Sequence, residues 1–299
     1  GIGAVIHNAS ELPGYLSMTL SYDVNTGKAA PYSALTIVST AAWGLGYFGM
    51  PHILLRFMAI EDEKKLKLSR RVATIWVVIS LFVAVFIGVI GYTMSKVGAL
   101  EMLTGSNSET IIVKISALLS QHGVIFALLA GVILAGILAS TMSTSDSQLL
   151  AASSAVSSDI LGAFRKDSSN KNGSMAAARI TLLVISVVAA FIARNPDSSV
   201  FAIVSFAWAG FGAAFGPVVL FSLFWKRTNK WGALAGMVCG GSMVFIWKYL
   251  IRPLGGIWNI YELLPAFLIA CAAIVIVSLL TPKPSKEIEE EFDRVAQMK

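Results

Sequence analysis

Residues 123–148 read GVIFALLAGVILAGILASTMSTSDSQ, and this stretch decides the fold class. Its first seventeen residues carry almost no polar side chain. A helix that crosses the hydrocarbon core of a bilayer needs about 20 consecutive, mostly apolar residues. The stretch therefore predicts a transmembrane helix whose final part becomes polar.

Six further blocks meet the same criterion, so the sequence predicts seven spans. The other six are 34–57, 72–96, 175–193, 199–225, 231–251 and 262–281. The composition agrees, because 56% of the residues are hydrophobic and 13% are charged, against roughly 25% charged in soluble domains. We expect an all-α polytopic membrane protein with an extracellular loop at 1–33, a transmembrane domain at 34–281 and a cytoplasmic tail at 282–299.

The positions of Lys and Arg predict the orientation of these spans. If the first span runs inward, 17 of the 23 basic residues fall on the inner side and six on the outer side. Cytoplasmic segments carry the excess of Lys and Arg in membrane proteins. The sequence therefore predicts an external N-terminal end and a cytoplasmic C-terminal tail.

Several other function classes are disfavoured. The net charge of +6 is spread over short clusters between apolar blocks, which does not indicate a nucleic-acid-binding surface. Cys239 and Cys271 lie inside apolar blocks and are interpreted as buried bystanders. The three histidines show no metal-ligand spacing, and no phosphate-binding loop or catalytic arrangement is recognisable, so neither an enzyme nor an ATP-driven pump is expected.

The polar end of the third span is a candidate cation site. Ser140, Ser143, Thr144 and Ser147 share one helix face, and Asp146 lies beside it. An acid at membrane depth usually marks a functional site. Hydroxyls and helix carbonyls are suitable ligands for a hard cation such as sodium.

Helix packing is the alternative role for hydroxyl residues in a membrane, because small residues let helices approach closely. Packing is favoured for the serines further along the same helix, which are Ser153, Ser154, Ser157 and Ser158. Asp146 favours an ion site for Ser143 and Thr144.

Three features outside the regular spans are also predicted. The helical pattern of the third span continues to about Phe164, beyond the membrane core. Ser106 to Glu109 fit a capping box before an amphipathic helix with apolar residues from Ile111 to Leu119. In the tail, a short acidic helix is expected from Glu287 to Met298.

The first span contains an interruption, WGLGYFGMP at 43–51. Pro51 removes a backbone hydrogen bond and its ring clashes with the preceding turn. Broken helices occur at membrane depth where they line a cavity or are sheltered by protein. Trp43 and Tyr47 are four residues apart, so both rings are expected on one side. Two interpretations stay open here: a binding cavity, or a kinked helix with an interfacial aromatic pair.

The fifth span carries small residues at a spacing that allows close packing. Gly212 and Gly216 form a small-xxx-small pair, so a neighbouring helix is expected to approach closely. Gly216 and Pro217 together could also serve as a gating hinge.

Three stretches carry a family resemblance: WGLGYFGMPHILLRFMA at 43–59, ILASTMSTSDSQLLAASSAVSSDIL at 137–161 and SFAWAGFGAAFGPVVLFSLFWKR at 205–227. They resemble the sodium–solute symporter family, and its proline-transporting members in particular. The resemblance extends from about residue 34 to 281 and does not depend on the first thirty residues or the tail.

The resemblance implies a leucine-transporter-like inverted-repeat fold, with sodium bound between the first and eighth core helices. The spans 34–57 and 123–163 are similar to core helices six and eight. Matching positions then imply Ser143 and Thr144 as sodium ligands through their hydroxyls, joined by the Ser140 carbonyl. Asp146 is expected to tune the site without contacting the ion.

For the substrate, the resemblance implies sodium-coupled import of L-proline across the plasma (inner) membrane. Trp43, Tyr47 and Pro51 match the substrate and coupling positions. The fold requires ten core helices, so the N-terminal helices of the same transporter, including core helix one, are expected upstream of Gly1. A symporter for another small organic solute and a symporter-like membrane sensor module are the alternatives, and the short tail disfavours the sensor.

Overall fold

The structure, a computed structural model, describes residues 1–23, 26–160, 171–194 and 199–297. Within these ranges the α-helices are α1 (Ile2–Ser10), α2 (Ala34–Ala41), α3 (Trp43–Gly46), α4 (Pro51–Met58), α5 (Leu66–Lys96), α6 (Ile111–Ser120), α7 (Val124–Ser154), α8 (Lys171–Ile192), α9 (Val200–Phe224), α10 (Lys230–Ile246), α11 (Leu263–Leu280) and α12 (Lys286–Gln297). The strands β1 (Leu20–Asp23) and β2 (Lys28–Pro31) form an antiparallel hairpin in which Leu20 lies opposite Pro31.

Six helices in the described part of the chain are long and apolar enough to cross a membrane. They are Leu66–Lys96, Val124–Ser157, Met175–Ile192, Val200–Phe224, Lys230–Leu254 and Leu263–Leu280. These six confirm six of the seven predicted spans and the all-α polytopic fold class. The seventh prediction, 34–57, falls on the three short helices α2, α3 and α4, and is therefore not a continuous span.

The prediction of a loop at 1–33 missed regular structure, because it contains α1 and the β-hairpin. Two of its turns contain glycines with an unusual backbone conformation. Gly14 and Gly27 both have positive φ, a backbone conformation that glycine adopts without steric cost.

The predicted amphipathic helix after residue 105 is confirmed as α6, but the predicted capping box is wrong. Residues Gly105–Thr110 form a 3₁₀ turn, and Thr110 precedes α6 without a side-chain cap. The Glu109 carboxylate instead accepts hydrogen bonds from the Ser199 hydroxyl (2.7 Å) and the Val200 N–H (3.1 Å). Glu109 thus satisfies a donor at the start of α9, which the local spacing could not reveal.

The chain divides into two compact units. The first comprises Gly1–Leu12 and Ile60–Val200, and the second comprises Pro13–Ala59 and Phe201–Lys299. In the first unit α6 packs against α5 and α7, and α7 packs against α8. The Ser153 hydroxyl donates to the Ala178 carbonyl of α8 at 2.7 Å, which confirms a packing role for that serine.

The long third span continues past the membrane core as predicted. Helix α7 ends at Ser154 and is followed directly by a π-helical turn over Ala155–Ile160. The remainder of the predicted extension, 161–164, lies outside the described residues.

The predicted tail helix is confirmed as α12, and its predicted end at Met298 lies outside the described residues.

In the second unit, glycines bring α10 and α11 close together. Ala270, Ile274 and Ser278 of α11 lie against Gly240, Gly236 and Gly232 of α10, positions at which a side chain would collide with them. This stripe of small residues was not recognised in the sequence, although its four-residue spacing is the usual signal for close packing of membrane helices.

The residues after α9 and the residues after α11 also lie close together in the second unit. Lys226 pairs with Asp293 of α12 at 2.5 Å, and Arg227 donates to the Thr281 carbonyl at 2.8 Å. The Asn229 side chain accepts from the Gly232 N–H and donates to the Pro282 carbonyl. The α9–α10 connection and the tail therefore lie on the same side of the helices, as the predicted topology requires.

Candidate functional site

The predicted interruption of the first span is present, but its cause differs from the prediction. Helix α3 ends at Gly46, a 3₁₀ turn covers Tyr47–Gly49, and Met50 has an extended backbone with φ −83° and ψ 112°. Pro51 then occupies the first turn of α4, where its missing N–H needs no partner. The residue before a proline disfavours the α conformation, so the helix breaks at Met50 and Pro51 begins a new helix instead of kinking an old one.

The interrupted segment packs against α9 through glycine backbones. A Cβ atom built on Gly212 would lie 2.7 Å from the Gly46 Cα, and one built on Gly49 would lie 2.8 Å from the Gly212 Cα and 2.9 Å from the Gly216 nitrogen. The predicted close approach at Gly212 and Gly216 is therefore confirmed, and the approaching element is the interrupted segment itself. A hinge at Pro217, which lies inside α9, stays a prediction.

Trp208 of α9 binds the N-terminal end of the interrupted segment. Its indole N–H donates to the Trp43 carbonyl at 3.0 Å, and a Cβ atom on Gly46 would collide with its ring. The Trp208 ring also meets the Tyr47 ring edge-on at 4.8 Å. Trp208 was not predicted as a site residue. A tryptophan in an apolar helix needs a hydrogen-bond acceptor for its N–H, and this requirement is a signal that could have identified it.

The two predicted aromatic positions have different environments. Trp43 is half-buried and stacks with Phe201 at 5.3 Å, Tyr261 at 5.5 Å and Trp208 at 6.1 Å between ring centroids. Tyr47 is 56% exposed. The structure therefore brings both rings together around Trp208, with Trp43 fixed among aromatic neighbours and Tyr47 accessible. Pro51 is exposed at the start of α4.

The predicted sodium ligands lie on α7, in the other unit. The Thr144 hydroxyl donates to the Ser140 carbonyl at 3.2 Å, and the Ser147 hydroxyl donates to the Ser143 carbonyl at 3.0 Å. The structure thus brings the Thr144 hydroxyl and the Ser140 carbonyl oxygen together at one point of the helix. Ser140, Ser143, Thr144 and Asp146 are all exposed.

Known proteins are similar to this chain over most of its length. The sequence model of the sodium:solute symporter family matches residues 13–240. Three similar curated proteins are the sodium/proline symporter of Haemophilus influenzae (41% identity, 87% of this chain, 51% of that protein), the osmoregulated proline transporter OpuE of Bacillus subtilis (39%, 85% and 50%) and the sodium/proline symporter of Escherichia coli (39%, 86% and 50%). The chain thus spans about half the length of these relatives. No solved structure matches it.

The glycine contact can be tested with two neighbouring substitutions. Gly46→Ala places a methyl group against the Trp208 indole, and overpacking of this kind costs about 1–3 kcal/mol. Gly44→Ala is the matched control, because nothing lies within 4 Å of a Cβ at that position. We expect thermal unfolding in detergent, followed by circular dichroism, to show a lowered midpoint for Gly46→Ala only. Equal midpoints for the two variants would contradict the described contact.

Proposed function

Because this chain belongs to the sodium:solute symporter family, we propose that it forms the C-terminal half of a sodium-coupled importer of L-proline. The interrupted segment 43–51 carries this proposal. It combines a helix break with an accessible aromatic ring and a fixed one, and such discontinuous helices form substrate and ion sites in transporters.

The chemistry of the segment suits a small zwitterion with a compact apolar ring. Tyr47 offers an accessible aromatic face, and Trp43 forms the fixed base beside it. The segment 43–51 contains no charged side chain, so nothing in it selects a substrate with a net charge. Backbone N–H and C=O groups beside Pro51 are the chemical types that bind the carboxylate and the amino group of a zwitterionic substrate.

For sodium, the supporting feature is the oxygen pair on α7. The Thr144 hydroxyl and the Ser140 carbonyl already lie 3.2 Å apart, and the Ser143 hydroxyl belongs to the adjoining residue. A hard cation favours oxygen ligands of this kind. Asp146 supplies a negative charge on the next part of the helix, and we propose that it attracts the ion without ligating it.

The exposure of these polar residues supports a further part of the proposal. Ser143, Thr144 and Asp146 are exposed on a helix otherwise apolar enough to span a membrane. Polar groups at membrane depth face protein or water rather than lipid. We therefore propose that α7 is covered by N-terminal helices of the same transporter, which complete an inverted-repeat fold and permit alternating access.

The proposed setting is the plasma (inner) membrane, with the C-terminal tail in the cytoplasm. The excess of Lys and Arg on one side supports this orientation. The contacts of Lys226 with Asp293 and of Asn229 with Pro282 support it as well, because they keep two basic segments on one side.

The sodium assignment predicts a selective loss of sodium affinity. In the full-length transporter, Ser143→Ala and Thr144→Ala should each raise the sodium concentration for half-maximal uptake about 5- to 30-fold, because each removes a ligand hydroxyl worth about 1–2 kcal/mol. Thr141→Ala is the control, since Thr141 makes the same type of bond, to the Ile137 carbonyl at 2.9 Å. Asp146→Asn should shift the value only a few-fold on the scale of a screened charge.

The measurement is uptake at varied sodium, with each variant quantified in the membrane. Similar small effects for Ser143→Ala, Thr144→Ala and Thr141→Ala would reject the ligand assignment. Complete loss of sodium binding in a well-inserted Asp146→Asn variant would show that Asp146 is itself a ligand.

The substrate assignment predicts accumulation of labelled L-proline in proteoliposomes with an inward sodium gradient. Excess unlabelled proline should compete, whereas alanine and glucose should compete poorly. Trp43→Ala and Tyr47→Ala should weaken proline binding more than sodium binding, because both change the proposed aromatic wall. Competition by a sugar or vitamin in place of proline would favour the other-solute alternative, and proline binding without uptake would favour a sensor.

A further inference from the structure

Helices α10 and α11 follow the stretches that carry the family resemblance, and no part of the proposed site has been assigned to them. The connection between them ends in two buried residues, Tyr261 (7% exposed) and Glu262 (1% exposed). A buried carboxylate and a buried phenol both require polar partners. Their partners show what this connection holds in place.

Glu262 anchors the connection through charged neighbours. Its carboxylate lies 2.9 Å from Arg252 Nη1 and 3.9 Å from Lys248 Nζ. Arg252 also donates from Nε to the Asn259 side chain at 3.0 Å. Glu262 is buried whereas Arg252 is 40% exposed, so loss of the arginine would leave a buried carboxylate without its nearest cation. These contacts tie the end of the connection to the residues that follow α10.

Tyr261, the neighbouring residue, contacts three separate elements. Its hydroxyl donates to the Ser205 carbonyl of α9 at 2.6 Å, and its backbone N–H donates to the Ser39 hydroxyl of α2 at 3.1 Å. Its ring stacks on Trp43 at 5.5 Å with an interplanar angle of 16°. Burial raises the pKa of the Tyr261 phenol above its ordinary value, so the hydroxyl stays protonated and keeps its role as a donor.

We propose that Tyr261 is a positioning residue for substrate binding, which acts by holding the Trp43 ring in the orientation that the substrate meets. This inference rests on the proposed function. The Trp43 carbonyl is already fixed by Trp208, which leaves the orientation of the Trp43 ring to its stacking partners. The Tyr261 ring lies most nearly parallel to the Trp43 ring, at 16° against 25° for Phe201 and 29° for Trp208. Hydrogen bonds from its hydroxyl and its backbone N–H hold Tyr261 in place. Helices α10 and α11 thereby set substrate affinity from outside the segment 43–51.

The test uses the full-length transporter in proteoliposomes and separates proline KM, kcat and half-saturating sodium. Tyr261→Leu removes both the stacking and the hydroxyl contact, whereas Tyr261→Phe keeps the ring and removes only the hydroxyl contact. Tyr249→Leu is the matched control, because Tyr249 is 61% exposed and meets the ring of Phe206 instead of Trp43.

We expect Tyr261→Leu to raise the proline KM about 3- to 10-fold, the range of an aromatic stacking contact. Tyr261→Phe should raise the KM about 3- to 5-fold, which corresponds to the loss of one neutral hydrogen bond. In both variants, kcat and the half-saturating sodium concentration measured at saturating proline should stay within about 2-fold of the wild type, because the substitutions leave the proposed sodium ligands on α7 unchanged. Tyr249→Leu should leave all three quantities unchanged.

A double variant identifies the route of the effect. If Tyr261 acts through Trp43, then Tyr261→Leu added to Trp43→Leu should raise the KM no further than Trp43→Leu alone. Multiplicative effects in the double variant would overturn the proposal, as would an unchanged KM in Tyr261→Phe and Tyr261→Leu. So would a parallel loss of kcat and thermal stability, which indicates a merely structural role.

Failure of the proposed function gives a different result. If the wild type imports another solute in place of proline, the substrate assignment is wrong, and the same variants are compared by the KM of that solute. The Tyr261 inference is then upheld by a selective rise in that KM and overturned by its absence. If Tyr261→Leu does not fold, the KM of Tyr261→Phe alone decides whether Tyr261 positions the substrate site, because this variant preserves the packed ring.

Discussion

The contact between glycine backbones of the interrupted segment and of α9 is the constraint on which the site depends. A helix break within a bilayer leaves backbone groups that lipid cannot satisfy, so the break has to be sheltered by protein. Because Gly46, Gly49 and Gly212 have no side chains, the two backbones approach so closely that a Cβ atom on any of these residues would collide with the other segment. At that separation Trp208 reaches the Trp43 carbonyl, and one interaction both shelters the break and fixes its geometry.

The same principle of small residues extends through the second unit. The glycines of α10 bring α11 close to it, and buried side chains from α9, α10 and α11 form one core, which includes Ala213, Val244, Ala266 and Phe267. Membrane helices gain little from the hydrophobic effect against each other, so close van der Waals packing and buried hydrogen bonds supply the stability. A rigid base of this kind holds one accessible ring, Tyr47, at a defined place beside Trp208.

Properties that are local to a few residues could be predicted from the sequence. Six spans, the interruption after Trp43 and the close packing at Gly212 each depend on short patterns with a direct physical cause. Contacts between residues that are distant in sequence could not be predicted in this way. Glu109 fits a capping box by spacing but binds at the start of α9, and Tyr261 contacts Trp43 more than two hundred residues away. Pro51 was identified correctly as a break, yet whether a proline kinks a helix or begins one depends on the backbone of the preceding residue.

The proposed function requires that the full-length transporter binds sodium and proline with coupled affinities, and equilibrium binding measures this coupling without the transport step. Labelled proline binding is measured in detergent with and without saturating sodium, and sodium binding with and without saturating proline. We expect each ligand to raise the affinity for the other by the same factor, because linkage is reciprocal, and the factor should be on the order of 5- to 150-fold. A proline affinity that is independent of sodium would contradict the proposed coupling.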